Sequence, residues 1–586
     1  MPTRRLQTGL WCAAFALSLV AVRLVQLQGV DGAKYLAMAQ NYRLGTLPIP
    51  AVRGSITTAD GLTLALTLPV DKVTADPPQI TGSNARAAAA LRQQVANLLS
   101  GPLGMPAATI LADIDHPPPI SPDYVVLDPQ VSGTTGDHIQ SLINNNRLPG
   151  IHLKPGYVRS YPGRDLASNL VGFTNTDSTT GDITGEAGIE QAYNRLLAGR
   201  DGKEEVETSI SGQPLPMAAE KIKPRVQGGG VRLTIMSGIQ WAAQQACADQ
   251  VRATRADNCT AVVMQPATGK VLAMAQYPTY QPADVTNLAE TTDLPVAAVF
   301  APGSTAKIIT AAAALEHGQT PATAYSVPEQ IVVDGFPFHD AEYHPVERLT
   351  LAGIVAHSSN VGMVQVAEHV SPQVQYHYYR AFGIGTPAGA PLAGVSAGLL
   401  PPPSQWWGDQ RYTLAFGQGV SVTALQMASV YATIANGGVR VPPTLVAGTV
   451  GPGGRFRATP RPHPYRVIKT STARQLISIL QQVPYFDATL ANQPWGEIPG
   501  YSVAAKTGTA QEGRCQCWYG SSYIGMVPAG HPAVVVAVNV QNPRTADYYG
   551  NGVAGPVFYK VMKFALAALK IPPDHGKRPN VALTAP

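Results

Sequence analysis

Pro302-Gly303-Ser304-Thr305-Ala306-Lys307 is the stretch from which the rest of the chain is read, because a two-residue breaker runs directly into an alanine-rich segment, 308–316, that Gly318 closes. The pattern predicts a helix over 308–316 with Ser304 at its start. Residues three apart share a helix face, so the Lys307 ammonium can lie beside the Ser304 hydroxyl one turn earlier. A serine alcohol is a weak nucleophile at neutral pH until a neighbour takes its proton, and a lysine can take it when burial or nearby cations keep it neutral. The spacing alone is weak evidence, since a serine helix cap with a solvated lysine one turn on has the same letters.

Two further stretches change that weighing. His357-Ser358-Ser359-Asn360 supplies S-x-N and Ala505-Lys506-Thr507-Gly508-Thr509 supplies K-T-G, in that order along the chain. Together the three stretches contain a nucleophile with a candidate base, a second hydroxyl with an amide, and a second cation, which are the parts of one acyl-transfer site.

At 586 residues the chain is too long for one ordinary domain. With 13% charged residues, 56 glycines and 51 prolines spread along its length, it reads as loop-rich and globular rather than fibrous. A net charge of +5 is small for this length, and neither a basic stripe nor a phosphate-binding glycine loop is present, so nucleic acid is not an expected partner. Residues 6–27 are apolar apart from Gln7, Thr8, Ser18, Arg23 and Gln26, long enough to span a bilayer as a helix. Arg4 and Arg5, in the short segment 1–5, mark the cytoplasmic side and Arg23 can snorkel at the outer end. A cleaved signal peptide is the competing reading, but no small-residue cleavage site precedes Gly29 and Cys12 lies too early for a lipoprotein cysteine.

Beyond the anchor, a helix is expected at 35–42, a strand–turn–strand from Arg53 through Asp60-Gly61 to Ala65, and helices over 84–99 and 137–145. Residues 28–228 hold no coherent catalytic constellation and read as a positioning module. From Gly229 on, a helix over 239–251, strands over 260–264 and 270–275, late strands over 502–509, 522–526 and 533–540, and a closing helix over 558–569 predict an antiparallel sheet packed by helices, an α+β arrangement. Residues 573–586, polar and proline-bearing, are expected as a flexible tail. Cys247 and Cys259 either pair or stay as free thiols: both lie outside the membrane and a helix-to-strand return can bring them together, but the sequence does not fix the separation a bond needs.

Tyr161-Pro162-Gly163, Leu170-Val171-Gly172-Phe173 and the run from Gly185 to Tyr193, taken with the anchor and the three stretches above, resemble the class B penicillin-binding proteins, the monofunctional transpeptidases of bacterial cell-wall synthesis. Phe416-Gly417-Gln418-Gly419 and Asn436-Gly437-Gly438 extend the likeness, which covers nearly the whole chain. Departures from the family pattern occur at Thr58-Ala59, at Ala301 before the Pro-Gly-Ser and at Ala306 inside S-x-x-K, whereas the nucleophile, both lysines and the asparagine are intact. The resemblance implies a penicillin-recognising serine transferase fold over 229–572, behind a dimerisation or pedestal-type domain over 28–228.

It also implies a D,D-transpeptidase acting on stem peptides that end in D-Ala-D-Ala, inhibited by β-lactams, without metal or cofactor. Ser304 is then the nucleophile, Lys307 the base, and Ser358 the proton relay under the field of Lys506; Asn360, Thr507, Gly508 and Thr509 bind substrate, with the backbone N–H groups of Ser304 and Thr509 as the oxyanion hole. Gly508, lacking a side chain, would let substrate lie along the strand. No glycan-polymerising motif is apparent, so a multi-span glycosyltransferase of the SEDS class is the implied membrane partner, with a division role favoured by Gly172-Phe173-Thr174-Asn175. A penicillin-binding sensor or inactive scaffold, and a carboxypeptidase or β-lactamase, are the competing readings. A β-lactamase of class A needs an added glutamate for deacylation; no such motif lies between Asn360 and Lys506, where position alone leaves Glu368 and Glu497. The histidines, His339, His344 and His357 among them, lack metal-ligand spacing; Trp406-Trp407 reads either as cleft lining or as packing, and Cys515-Gln516-Cys517 is too short a span for an unstrained disulfide.

Overall fold

A computed structural model describes the chain apart from residues 1, 33, 35–43, 120, 178–181, 208–220, 490–491 and 513–517. The helix expected at 35–42 and Cys515-Gln516-Cys517 therefore lie outside the described residues. Chain contacts divide the protein into two compact units.

The first unit comprises Met1–Val52 and Ala198–Gly228. Its helix Pro2–Val25, extended by a wider turn over Gln26–Val30, leaves Leu10, Trp11 and Phe15 exposed, and Leu6–Val30 is long and apolar enough to cross a membrane. Strands Leu44–Ile49, Gly202–Glu207 and Lys221–Lys223 form an antiparallel sheet.

The second unit comprises Arg53–Leu197 and Gly229–Pro586. Ile56–Thr57, Thr63–Ala75, Val125–Val131 and Ile151–Ser160 belong to a seven-stranded sheet that Gly230–Leu233 joins in parallel beside Ile56–Thr57, so residues on either side of the expected 228/229 boundary share one sheet. Arg53 and Arg159 converge on Glu190, each with a nitrogen 2.7 Å from a different carboxylate oxygen.

The catalytic part is built on five antiparallel strands: β1 Asn258–Met264, β2 Val271–Tyr277, β3 Ala504–Glu512, β4 Trp518–Val527 and β5 Val534–Gln541, in the order β2-β1-β5-β4-β3. Successive side chains of β1 and β5 enter different cores. Ala261, Val263, Val536 and Val538 pack with helices α1 Ser237–Thr254 and Gly555–Ala568, while Val262, Met264, Val535 and Ala537 pack with the helices of the opposite face. Both faces being covered, these strands read as unbroken apolar runs instead of alternating ones. Cys247 of α1 is bonded to Cys259 of β1, with Cα atoms 5.3 Å apart. Helices α2 Lys307–Glu316, α3 Leu351–Ala356 and α4 Asn360–Glu368 stand on the second face, beside the fully buried helix Ala424–Ala435.

The expectation of a flexible tail over 573–586 is corrected. Asp574 accepts from the Ser502 N–H at 2.8 Å, Arg578 stacks on Tyr485, and Pro579 accepts from Gln482 at 3.0 Å. Further on, the Thr350 N–H donates to Leu583 at 3.0 Å and the Ala585 N–H to Arg348 at 2.8 Å, so the tail pairs with the edge of strand Glu347–Thr350. Val581 and Leu583 pack against the larger core in the process. An unpaired strand edge more than two hundred residues away supplies what the tail's own composition lacks, a fixed set of partners for its N–H and C=O groups.

Candidate active site

Ser304 sits in a tight turn, Gly303–Ala306, that leads into α2. Gly303 has φ +52° and its N–H donates to the Gly417 carbonyl at 3.0 Å. Gly417, at φ +82°, is needed there because a Cβ would fall 2.0 Å from the Gly303 carbonyl oxygen. The Phe416-Gly417-Gln418-Gly419 stretch thus fixes the turn that presents the serine. Ser304 has no side-chain hydrogen bond among the described residues.

One turn on, Lys307 is fully buried, and its amine makes no hydrogen bond to Ser304. It donates to the Ser358 carbonyl, to Asn360 Oδ1 at 2.8 Å and to Ser358 Oγ at 3.4 Å. Ser358 lies in the turn between α3 and α4 with φ +63°, in the left-handed region. Lys506, also fully buried, reaches the same hydroxyl from β3, donating to Ser358 Oγ at 2.9 Å and to the Thr507 carbonyl at 3.2 Å. Ser358 Oγ is therefore the meeting point of both amines.

Burial, the larger cause, and the neighbouring Lys506 hold Lys307 well below the ordinary lysine range, against the opposing pull of Asp340. Of the two causes that can keep a lysine neutral, burial is thus the larger here and the neighbouring cation the smaller. Burial also brings Lys506 down to about 8, against the support of Asp487, and pushes Asp487 up to about 6 against the pull of Lys506.

Ser304, Ser358, Asn360, Lys506, Asp340 and Asp487 line a cavity of about 430 Å³ together with Thr507 and Thr509, while Lys307 lies behind its wall and meets it through Ser358 and Asn360. The Thr509 hydroxyl accepts from the Gly550 N–H at 3.0 Å, which leaves its own proton free to donate into the cavity. Gly508 is placed differently from expectation. It does not line the cavity, and a Cβ there would come within 2.9 Å of the Pro302 carbonyl oxygen and of Thr305 Cγ2, so its missing side chain lets the Ser304 turn pack against β3.

Several cavity residues carry no pattern that sequence reading singled out. Asp340 joins the turn at Ser359 and Asn360, Asp487 accepts from the Tyr523 hydroxyl at 3.3 Å, and Glu342, Tyr549 and Asn551 complete the wall. Gln418 and His357 also line it, although neither had been given a role. Neither Glu368 nor Glu497 reaches the cavity. Trp406 is fixed by donating to the Pro401 carbonyl at 2.8 Å, Trp407 is exposed, and neither lines the cleft. Among the described residues no group of three His, Cys, Asp or Glu side chains could hold a metal ion.

Residues 259–563 match the family described as the penicillin binding protein transpeptidase domain, and residues 48–233 match the penicillin-binding protein dimerisation domain. The chain is 33% identical over 98% of its length to the penicillin-binding protein PbpB of Mycolicibacterium smegmatis, 92% of which is covered. It is 29% identical over 96% of its length to the peptidoglycan D,D-transpeptidase FtsI of Escherichia coli, 91% of which is covered. Among solved structures it resembles penicillin-binding protein 3 of Mycobacterium tuberculosis complexed with aztreonam, with a TM-score of 0.69 and 28% identity, covering 92% of this chain and all of that one.

Proposed function

The chain belongs to the penicillin-binding protein transpeptidases, and from that membership we propose how its residues divide the work of a peptidoglycan D,D-transpeptidase that β-lactams inhibit. Ser304 attacks the carbonyl of the penultimate D-alanine of a stem peptide. A Ser304 Oγ–carbon bond forms, the C–N bond to the terminal D-alanine breaks, and the serine proton passes through neutral Lys307 and Ser358 to the leaving amine. Lys506, as the cation, and the Thr507 and Thr509 hydroxyls hold the terminal carboxylate. Asn360 orients the substrate amide, and the N–H groups of Ser304 and Thr509 receive the oxyanion. The amine of a second stem peptide then attacks the acyl-enzyme and closes the cross-link. The observation that supports this division is the placement of Ser358 Oγ 2.9 Å from Lys506 Nζ and 3.4 Å from Lys307 Nζ, inside the cavity that Ser304 lines.

The apolar N-terminal helix and the FtsI-like relatives make this a membrane-anchored protein. The arginines at its start support a single pass with a cytoplasmic N-terminus and an extracytoplasmic catalytic domain. Residues 28–228 then serve as the pedestal of a transpeptidase domain over 229–572, a SEDS-type glycosyltransferase is the partner that supplies glycan strands, and Gly172-Phe173-Thr174-Asn175 favours a division role.

Labelled penicillin tests the reading. Intact-mass measurement should find one adduct, mapped to the peptide holding Ser304 and absent in Ser304→Ala. Neither Glu368 nor Glu497 lines the cavity, so the adduct should outlast removal of excess label. Adduct in the alanine variant would overturn the nucleophile assignment; loss within seconds with turnover to penicilloate would mean a hydrolase.

A further inference from the structure

Asp340 follows strand Phe336–His339, outside every stretch that led to the cleft, yet the turn carrying Ser358 and Asn360 is fastened to it. The side chain is 8% exposed. Its Oδ1 accepts from the N–H groups of Asn360 and of Val361, the latter at 3.0 Å. Its Oδ2 accepts from Ser359 Oγ at 2.6 Å and faces His344 Nε2 at 3.1 Å. Ser359 in turn caps α4, accepting from the Gly362 N–H at 2.8 Å. An anion at the first N–H groups of a helix is favoured on electrostatic grounds, so α4 and the carboxylate hold each other in place.

This arrangement does more than cap a helix. Ser358 occupies the left-handed region, which a residue with a β-carbon enters only when its surroundings impose it. The polar groups of the next three residues are the ones Asp340 holds. Resting on the acyl-transfer reading of the same cleft, we propose that Asp340 is a positioning residue for the reaction, bracing the 358–360 turn so that the Ser358 hydroxyl stays between the two lysine amines and the Asn360 amide stays on Lys307.

The carboxylate also acts on Lys307 through space. It favours the charged amine, against burial and against Lys506, which faces Lys307 from β3. On the other side of Asp340 both nitrogens of His344 face acceptors, Nδ1 the Pro345 carbonyl at 2.8 Å and Nε2 the carboxylate. Partial burial opposes the charged ring, but these bonds and the charges of Asp340 and Glu347 outweigh it and raise the pKa of His344.

Two variants of the full chain separate positioning from mere folding. Asp340→Ala should slow acylation by fluorescent penicillin about 100-fold, the scale of a misplaced reacting group. Asp340→Asn keeps one oxygen for the Asn360 and Val361 N–H groups and turns its amide toward Ser359 and His344, and should recover most of that rate. Because it removes the anion, the rise of acylation with pH should move to lower pH in Asp340→Asn. Amide exchange over 357–362 should quicken in the alanine variant and return toward wild type in the asparagine one. Wild-type rates in both variants, or equal losses that follow only the folded fraction, would overturn the proposal; so would unchanged exchange in the alanine variant. Absence of any adduct in the wild-type protein would instead sink the acyl-transfer reading, and the exchange measurement would still decide whether Asp340 braces the turn.

Discussion

Two places in the same compact unit bury cations, and they treat them in opposite ways. Arg53 and Arg159, 3% and 6% exposed, both contact the carboxylate of Glu190, itself 0% exposed. Asn194 Oδ1 at 2.6 Å and the Gly54 carbonyl at 2.8 Å take up further guanidinium N–H groups. Lys307 and Lys506 are both 0% exposed, yet among the described residues neither has a carboxylate within ion-pair distance, and each donates to neutral oxygens. Asp340 and Asp487 stand near but not on them. Direct contact keeps a buried cation charged and silent; a carboxylate held back leaves the proton negotiable. The first arrangement suits a joint between chain segments, the second a site that must take a proton and give it back. Choice of cation follows the same division, since a guanidinium does not release its proton in proteins and an ammonium does.

Removing the lysine amine should have the largest effect on chemistry and almost none on stability. Lys307→Met keeps the buried volume and abolishes the base, so acylation should fall by roughly 10³-fold, within the range for a general base. Thermal unfolding should stay near wild type, because the lost hydrogen bonds are offset by the removal of a buried amine. A Lys307→Met protein that unfolds early would mean the amine is a structural group, and the contrast with the arginine cluster would fail.

Glu190→Gln is the converse experiment. It leaves two guanidinium groups buried without their anion and should destabilise the unit by about 3–5 kcal/mol, the usual cost of breaking a buried pair from one side. Acylation per folded molecule, measured well below the unfolding temperature, should stay within about twofold of wild type, as for a site with no shared partners. A large loss of rate in fully folded Glu190→Gln would show that the two clusters are coupled.

The difference also explains what the sequence could and could not reveal. Ser304, Lys307, Ser358, Asn360 and Lys506 were legible because chemistry restricts each to one or two residue types at set spacings. The strands β1 and β5 lie within two residues of the strands expected over 260–264 and 533–540, and burial on both faces makes them apolar runs. Asp340 and Asp487 carry no such signature: each is a single carboxylate whose partners lie on other elements, and no spacing links Asp487 to Lys506 before β3 is in place. Gly508 was expected to leave space for substrate along the strand, whereas the space its missing side chain leaves is filled by the Pro302 turn, a neighbour that only the packing of two distant segments brings there. The docked tail was lost for the same reason, since Leu583 pairs with Thr350.

The smallest expected effect tests the held-back carboxylate itself. Asp487 has a pKa of about 6, so near pH 8 it is an anion, and there it favours the charged form of Lys506, whose own pKa is about 8. The groups around this pair are the Tyr523 hydroxyl and the Asn551 amide on Asp487, and on Lys506 the Ser358 hydroxyl, which also meets Lys307. If Lys506 holds the substrate carboxylate as a cation, acylation in the wild-type protein should fall as pH rises through about 8. In Asp487→Asn the cation loses its anionic support, its pKa drops, and that fall should begin about one pH unit lower. The rise at the acidic side, which reports Lys307, should move far less. Asp340→Asn should do the reverse, shifting the rise and sparing the fall, so a pH profile of the two variants assigns each carboxylate to its lysine. A fall that stays in place in Asp487→Asn would mean that Lys506 is not held charged by Asp487, and the two lysines would then have to be distinguished by their hydrogen-bonding partners alone.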